Sequence, residues 1–553
     1  MMRYFVGPEN EYNLNPAYRG EAFFDDQVSA GSDNDLPCHR LRAHHDVSSP
    51  RVIVGARMYR WRGQPPVAGE RYIVSTFVIS SDRAQNLDAA HGDAVICHVA
   101  SDLATDAIMA STTAGKSVYT LLMLVAVSSV AGHILTSPGS FSPNDQSRWS
   151  TIRALVETGS YSIGYREETT DGKYRDMGII ALPGWHTVDV VMHPATRRFY
   201  SSKPTLLPTV LAAEYWILRN ALGLNLRRNR LAVSRTILFT INLLPFAIYL
   251  LLFARIVELL GSTEWGRLFV FTTAAFGTFV SGFLVSLNNH TVAAMGAFFA
   301  LYHCIRIHVH DDRRLRTFLL AGLFAGWTMC NELPAAAFAA GLMFWLMRLA
   351  PRETLRYAFP AMVLPVMAYL STQYLAVGSI LPTYTHEDWY GFAGSYWRNP
   401  AGLDRADEPK LLYALNLLIG HTGILSLTPV LVLGWIGMVR TVGHKGAGKE
   451  STVLSVVSRL TLALTVVTFT FYVFRTSSYG GVTAGARWFF WLVPLWVITM
   501  LPEVDRWALD QRRRMIAGLL LAFSIGTANH ALTNPWQESL LLTWLKSWGI
   551  SSY

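Results

Sequence analysis

Charge is scarce in this chain. Asp, Glu, Lys and Arg supply 15% of its 553 residues, where soluble proteins carry about 25%. The deficit argues against a wholly soluble protein, and it is uneven. Residues 1–116 are polar, whereas from Leu206 onward one apolar run follows another. Cysteine is nearly as rare. Cys38, Cys97, Cys304 and Cys330 form no CxxC pair, so neither a cysteine zinc site nor a disulfide framework is expected. The net charge is +9, but no basic stripe with interleaved aromatics accompanies it, which removes nucleic acid as a partner. No apolar stretch precedes about Gly115, so no secretory signal peptide is expected at the start. Internal repeats and low-complexity tracts are absent as well.

What the chain has is apolar length. A bilayer core about 30 Å thick needs roughly 20 apolar residues per helix, and backbone groups in lipid must pair within their own segment. The first run is Val118–Leu135, preceded by Lys116, and reads as a signal-anchor helix with its N-terminus in the cytoplasm. A polar stretch, Thr136–Lys203, follows it. The later candidates are Leu206–Leu218, Ala232–Leu259, Leu268–Leu287, Thr291–Ile307, Phe318–Cys330, Ala335–Met347, Tyr357–Val377, Leu411–Val439, Val453–Phe474, Trp488–Leu501 and Met515–Ala528. The expected fold is therefore an all-α integral membrane bundle of about eleven helices with a large outer first loop, several runs being short for a full span.

The polar segment 1–110 holds scattered Arg, Asp and His and a β-like stretch at Arg71–Ile79. It is expected to be a poorly ordered extension, or to lie upstream of a true start at Met109, rather than a functional domain. Cys38, His39, His44 and His45 cluster there, but their spacing fits no zinc pattern and a solvated loop is the simpler expectation. Residues 111–553 form the membrane domain.

Orientation follows from Lys and Arg in short loops. Arg306–Arg316, Arg348–Arg356, Arg440–Lys449 and Arg506–Arg514 are placed in the cytoplasm. Asn288–His290, Asn331–Pro334, Gly378–Lys410 and Arg475–Arg487 then lie outside, in a multi-pass protein of the cytoplasmic (inner) membrane. Consistent counting makes Leu206–Leu218 an interfacial segment, although the arginines from Arg219 to Arg235 argue against that by falling outside.

The outer loop carries Asp145-Gln146-Ser147-Arg148-Trp149, then Arg153, then Glu157-Thr-Gly159-Ser-Tyr161, and ends Tyr200-Ser201-Ser202-Lys203-Pro204 ahead of an apolar helix. Ile152, Leu155 and Val156 give one apolar face, predicting a short amphipathic helix just after Asp145. Asp-x-x-Arg-aromatic, Arg, Glu-x-Gly-x-Tyr and Tyr-x-x-Lys-Pro, in this order and setting, resemble the lipid A aminoarabinose transferases and protein mannosyltransferases of the GT-C class of membrane glycosyltransferases. In layout the resemblance covers roughly Val118 to Met347. It implies a polyprenyl-phosphate sugar donor as substrate and an acceptor of unspecified kind (glycan, lipid or protein) on the outer face, with no cofactor certain and metal dependence left open. By the same resemblance Asp145 is the catalytic carboxylate, while Lys203 and Arg148 meet the donor phosphate. Gln146 and Ser202 depart from the family pattern, which leaves a second acid or a metal at those positions unsupported.

The residue chemistry is compatible with that role. An attacking hydroxyl must lose its proton, which a carboxylate can take. A leaving phosphate needs cations. The plain alternatives are a helix N-cap for Asp145, an interfacial lysine for Lys203 and a solvated helix face for Arg148. Arg475 and Arg487 bracket a Gly-rich outer turn, read as a second phosphate contact or as a plain loop. Asn289, His290 and Glu332 interrupt apolar segments and are cavity candidates, since ionisable residues there face a cavity or a partner. Trp389, Tyr390, Tyr396 and Trp397 are candidate sugar contacts, an interfacial aromatic belt being the alternative. A transporter or lipid flippase is the competing function class, but such folds show two related halves, and none is visible here.

Overall fold

The computed structural model describes residues 113–550, except 407 and 444–447, and the backbone of two strands before them. Two units separate, Met1–Ala100 and Ser101–Tyr553. In the first, Val52–Arg60 pairs antiparallel with Tyr72–Ser80, from Val52 opposite Ser80 to Arg60 opposite Tyr72. The β-like stretch seen in the sequence falls on the second strand. The remainder of the polar segment, including Cys38, His39, His44 and His45, lies outside the described residues.

The second unit is a polytopic helical membrane protein. Among the described residues, six helices are long and apolar enough to cross a bilayer: Ser117–Thr136, Arg230–Leu260, Asn289–His310, Pro351–Val377, Lys449–Arg475 and Gln511–Thr533. A seventh is formed if Arg487–Ile498 and Leu501–Trp507, which meet at 47°, are taken together. Shorter apolar helices, among them Leu315–Asn331, Ala336–Leu349 and Leu431–Val442, pack between them.

Two expected spans are not single helices. Leu268–Leu287 is cut after Glu264–Phe276, where Thr278 is extended (φ −137°, ψ 154°) before the short turn Phe279–Gly282. Leu411–Val439 divides into Lys410–Leu418, Ile424–Leu427 and Leu431–Val442. The breaks fall at Gly420, Gly423 and Pro429, residues that favour turns or cannot donate to a helical ladder. Elsewhere glycine serves contact. A Cβ on Gly322 would stand 1.9 Å from the Ala358 carbonyl, and one on Gly326 2.2 Å from that of Met362. This four-residue repeat of small residues lets Leu315–Asn331 lie directly on the Pro351–Val377 helix, as membrane helices commonly do.

The loop after the first helix is built from a helix and a small sheet. Pro143–Thr158 is an amphipathic helix opened by Ser142 and closed by Gly159 in the left-handed region (φ 66°). A four-stranded antiparallel sheet follows, in the order Tyr174–Gly178, Gly164–Glu168, Arg198–Ser201, Val190–Met192. Its last pair aligns Val190 with Ser201 and Val191 with Tyr200, which brings Asp189 beside Lys203.

The same loop holds both ends of the helix Leu206–Leu222. Thr209 near its start bonds Tyr161 at 2.9 Å, and Arg219 near its end donates to the Val156 carbonyl at 3.1 Å. It therefore lies along the loop. Two more of the arginines that argue against an interfacial segment bind the loop itself, while Arg227 and Arg228 are exposed. Arg230 donates to the Gly184 carbonyl at 2.8 Å and sits over the Trp185 ring at 4.8 Å, and Arg235 donates to the Ser137 carbonyl at 2.9 Å.

Candidate active site

A cavity of about 1020 Å³ opens where the loop helix, the sheet, the N-terminus of Asn289–His310, the Asn331–Pro334 break and the Arg475–Arg487 turn meet. It lies at the end of the Asn289–His310 helix opposite the basic loop Arg306–Arg316, about 33 Å away at 1.5 Å per residue.

One hydrogen-bonded chain crosses its floor. Arg148, 1% exposed, is held on its own helix by the Asn144 carbonyl (2.9 Å) and side chain (2.6 Å), and donates its other nitrogen to Asn289 Oδ1. Asn289 Nδ2 donates to the Asn331 carbonyl and to Glu332 Oε1, both at 2.8 Å. Glu332 Oε1 also takes His290 Nδ1, and His290 Nε2 faces Arg487 Nη1 at 3.2 Å. Arginine only donates, so Nε2 carries the lone pair and Nδ1 the proton: His290 is the neutral Nδ1–H tautomer. Glu332 Oε2 takes no hydrogen bond from any described residue.

Arg487 enters the cavity at the turn. Its Nη2 donates to the Gly480 carbonyl at 2.7 Å and its guanidinium lies 4.7 Å over the Trp536 ring. Gly480 (φ +87°) adopts a conformation that side chains avoid, and a Cβ there would stand 3.1 Å from Arg487 Nε. That Nε is buried and has no hydrogen-bond partner among the described residues. Arg153 and Arg235 also hold such a nitrogen, and what sets Arg487 apart is that its guanidinium lines the cavity together with Arg148 and Lys203.

Lys203 completes the cationic set. Its Nζ lies 3.0 Å from Asp189 Oδ1, with the two side chains 18% and 10% exposed. Burial pulls the Lys203 ammonium down to about 8, the Asp189 charge opposing. Burial, then the Arg487 charge, pulls Arg148 down to about 10, still charged at neutral pH. Ser147 anchors the hairpin from the loop helix by bonding the Asp189 carbonyl and Ser201 Oγ, both at 2.6 Å.

Most sequence-selected residues thus converge. Arg148, Lys203, Arg475, Arg487, Asn289, His290, Glu332, Tyr390, Tyr396 and Trp397 all line the cavity. Arg475 is at the rim, 64% exposed and 3.6 Å from Glu387. Two residues do not join them. Trp389 stacks on His386 (4.1 Å, 10°) and packs with Val191 and Val377, away from the cavity lining.

Asp145 is the larger correction. It is fully buried and stands at the third position of its helix in a capping box with Ser142. Its carboxylate accepts from Ser140 Oγ (2.8 Å), Phe141 N (2.9 Å) and Ser142 N (3.0 Å), and it is not part of the cavity wall. Burial pushes its carboxyl upward while those three donors oppose. The expected catalytic carboxylate is therefore committed to the fold of its own loop. The acids that do face the cavity are Glu332, Asp189, Asp404 and, at the rim beside Arg475, Glu387. Asp189 and Asp404 lie in no motif, and only strand register or loop closure brings them in. Among the described residues no three His, Cys, Asp or Glu side chains gather as a metal site.

No protein-family model and no curated protein matches the chain. Among solved structures it is similar to the oligosaccharyltransferase of Archaeoglobus fulgidus tethered with an acceptor peptide, at 13% identity and a TM-score of 0.43, over 79% of this chain and 59% of that one. It is also similar to the arabinosyltransferase EmbB of Mycobacterium smegmatis, at 13% identity and a TM-score of 0.40, over 89% of this chain and 44% of that one. The chain thus spans about half the length of these structures.

Proposed function

We propose that this protein is a GT-C-type glycosyltransferase that moves a sugar from a polyprenyl-phosphate donor to a hydroxyl acceptor on the outer face of the membrane. The observation that carries this is the convergence of Arg487, Lys203 and Arg148 on one cavity with the half-free carboxylate of Glu332. The pattern of the outer loop, with its Tyr-x-x-Lys-Pro ending at Pro204, supports the donor class. The basic loops at the far end of the helices support the outer face.

In the reaction the acceptor oxygen bonds to the anomeric carbon as its proton passes to Glu332 Oε2. The bond from that carbon to the phosphate oxygen breaks, and the electron pair leaves with polyprenyl phosphate. Attack opposite the leaving group inverts the anomeric centre. Lys203 and Arg487 take up the charge of the departing phosphate, and Arg148 holds Asn289 and, through it, Glu332. Asp189 orients Lys203. The neutral His290 tautomer fixes the Glu332 carboxylate by donating to Oε1, leaving the other oxygen to accept the proton.

The test is transfer from a radiolabelled polyprenyl-phosphate sugar by purified protein in liposomes, with Glu332→Gln and Lys203→Ala alongside. Glu332→Gln is expected to bind donor and lose turnover by about 100-fold or more. Lys203→Ala is expected to weaken donor binding. Wild-type turnover in Glu332→Gln would remove the base assignment, and unaltered donor affinity in Lys203→Ala would remove the phosphate site.

A further inference from the structure

The cavity has a second chemical character, distinct from its cationic floor. Trp397 presents its ring between Tyr390 (6.1 Å, 77°) and Tyr396 (5.2 Å, 80°), all on the segment that joins Pro351–Val377 to Lys410–Leu418. Trp488 stacks on Tyr472 (4.8 Å, 14°) on the Arg475–Arg487 side. An interfacial belt would face lipid, but these rings line the cavity, and the indole Nε1 of Trp397 is fixed to the Val188 carbonyl at 2.7 Å. Tyr396 donates to Asp404 Oδ2 at 2.6 Å. Asp404 Oδ1 takes no hydrogen bond from a described residue, and a Cβ at Gly481 (φ +76°) would stand 2.9 Å from it, so glycine there keeps that oxygen uncrowded. Flat amphipathic rings beside an open carboxylate oxygen suit a ring that is apolar on its faces and hydroxylated at its edge.

The same geometry disfavours a peptide bound by strand addition. The sheet edge nearest the cavity is Val190–Met192, and an extended chain would bind there by strand addition. That edge is already covered by the Glu387–Tyr390 turn, with Trp389 packed on Val191, and the Val188 carbonyl is taken by Trp397.

We propose that the acceptor is a saccharide, stacked on Trp397 and Tyr396 with a hydroxyl on Asp404. This rests on the transferase function proposed above. Binding of maltotetraose, mannotetraose, chitotetraose and a size-matched Ser/Thr/Asn-rich peptide would be followed by tryptophan fluorescence on the full chain in nanodiscs, with and without saturating polyprenyl phosphate. Polyprenyl-phosphate binding would be measured separately. At least one tetraose should bind, and bind undiminished alongside polyprenyl phosphate. Tyr396→Ala and Trp397→Leu should weaken it about 5- to 10-fold with polyprenyl-phosphate affinity unchanged. Trp397 also ties the hairpin down, so Tyr396→Ala, at a ring 39% exposed, carries the test if Trp397→Leu fails to fold. Binding of the peptide alone, or of no tetraose, overturns the inference while leaving the donor site standing if polyprenyl phosphate binds. Competition between the tetraose and polyprenyl phosphate also overturns it, because the tetraose would then sit on the donor's phosphate site and not on the rings. Loss of polyprenyl-phosphate binding in the wild type would instead count against the transferase reading.

Discussion

Asp145→Asn separates the structural account from the motif-based one. The aspartate accepts three hydrogen bonds: Ser140 Oγ and Ser142 N on Oδ1, and Phe141 N on Oδ2. An asparagine has one oxygen and one NH2. Placing the oxygen on the Ser140 and Ser142 side turns the NH2 toward the Phe141 N–H, donor against donor. The opposite flip sets the NH2 against the Ser142 N–H, and only Ser140 Oγ can adapt, by accepting in place of donating. Hydrogen bonds to a charged group contribute about 1.5–3 kcal/mol each and a helix cap about 1 kcal/mol, so a loss of about 2–4 kcal/mol is expected. The loop helix carries Arg148 and Ser147, so its loosening should lower the apparent unfolding midpoint by about 5 °C or more. In nanodiscs, light scattering on heating would read that midpoint, and turnover would be normalised to the folded fraction. The expected outcome is reduced folded yield with near-normal turnover per folded molecule. A variant as stable as wild type but inactive would restore Asp145 to catalysis and refute the capping argument.

Other consequences follow from the cation set and the close packing. Lys203 is charged below about pH 8 and loses its charge above it, so donor affinity should fall as pH rises through 8. Lys203→Arg should hold affinity to higher pH, read by binding isotherms from pH 6 to 10. Gly480→Ala imposes a left-handed alanine (φ +87°) and a Cβ 3.1 Å from Arg487 Nε. It should cost about 1–2 kcal/mol in strain and raise the donor KM more than it lowers kcat. Arg487→Lys keeps the charge but loses the fork that spans His290 and Gly480. Donor binding should weaken about 10-fold, with saturating turnover less affected. Gly322→Leu drives a side chain into the Ala358 carbonyl and should abolish folded protein, scored by monodisperse elution in detergent.

The membrane body was legible because its cause is local. Apolar length alone specifies helices such as Asn289–His310 and Lys449–Arg475, since lipid leaves backbone groups no partner but their own segment. The loop helix after the first span was legible from its apolar spacing, and Lys203 and Arg148 from their motif. Interruptions were harder. Gly420, Gly423 and Pro429 are each a turn signal, but the leucines, isoleucines and valines around them make the run look continuous. The Gly322 and Gly326 pair was in plain sight, but its meaning depends on which helix lies opposite.

Asp145 shows where a motif can mislead. An aspartate three residues after a serine can reach an acceptor or cap its own helix, and only the direction of the carboxylate distinguishes the two. The sequence by itself determined an apolar, helix-crossed chain with acids and cations in one extramembrane region. Tertiary structure decided which of them meet: the sheet register that sets Asp189 on Lys203, and the break that points Glu332 at Asn289 and His290. Local sequence sets backbone conformation, whereas contacts between residues scores of positions apart depend on how the helices pack, and no short pattern encodes that.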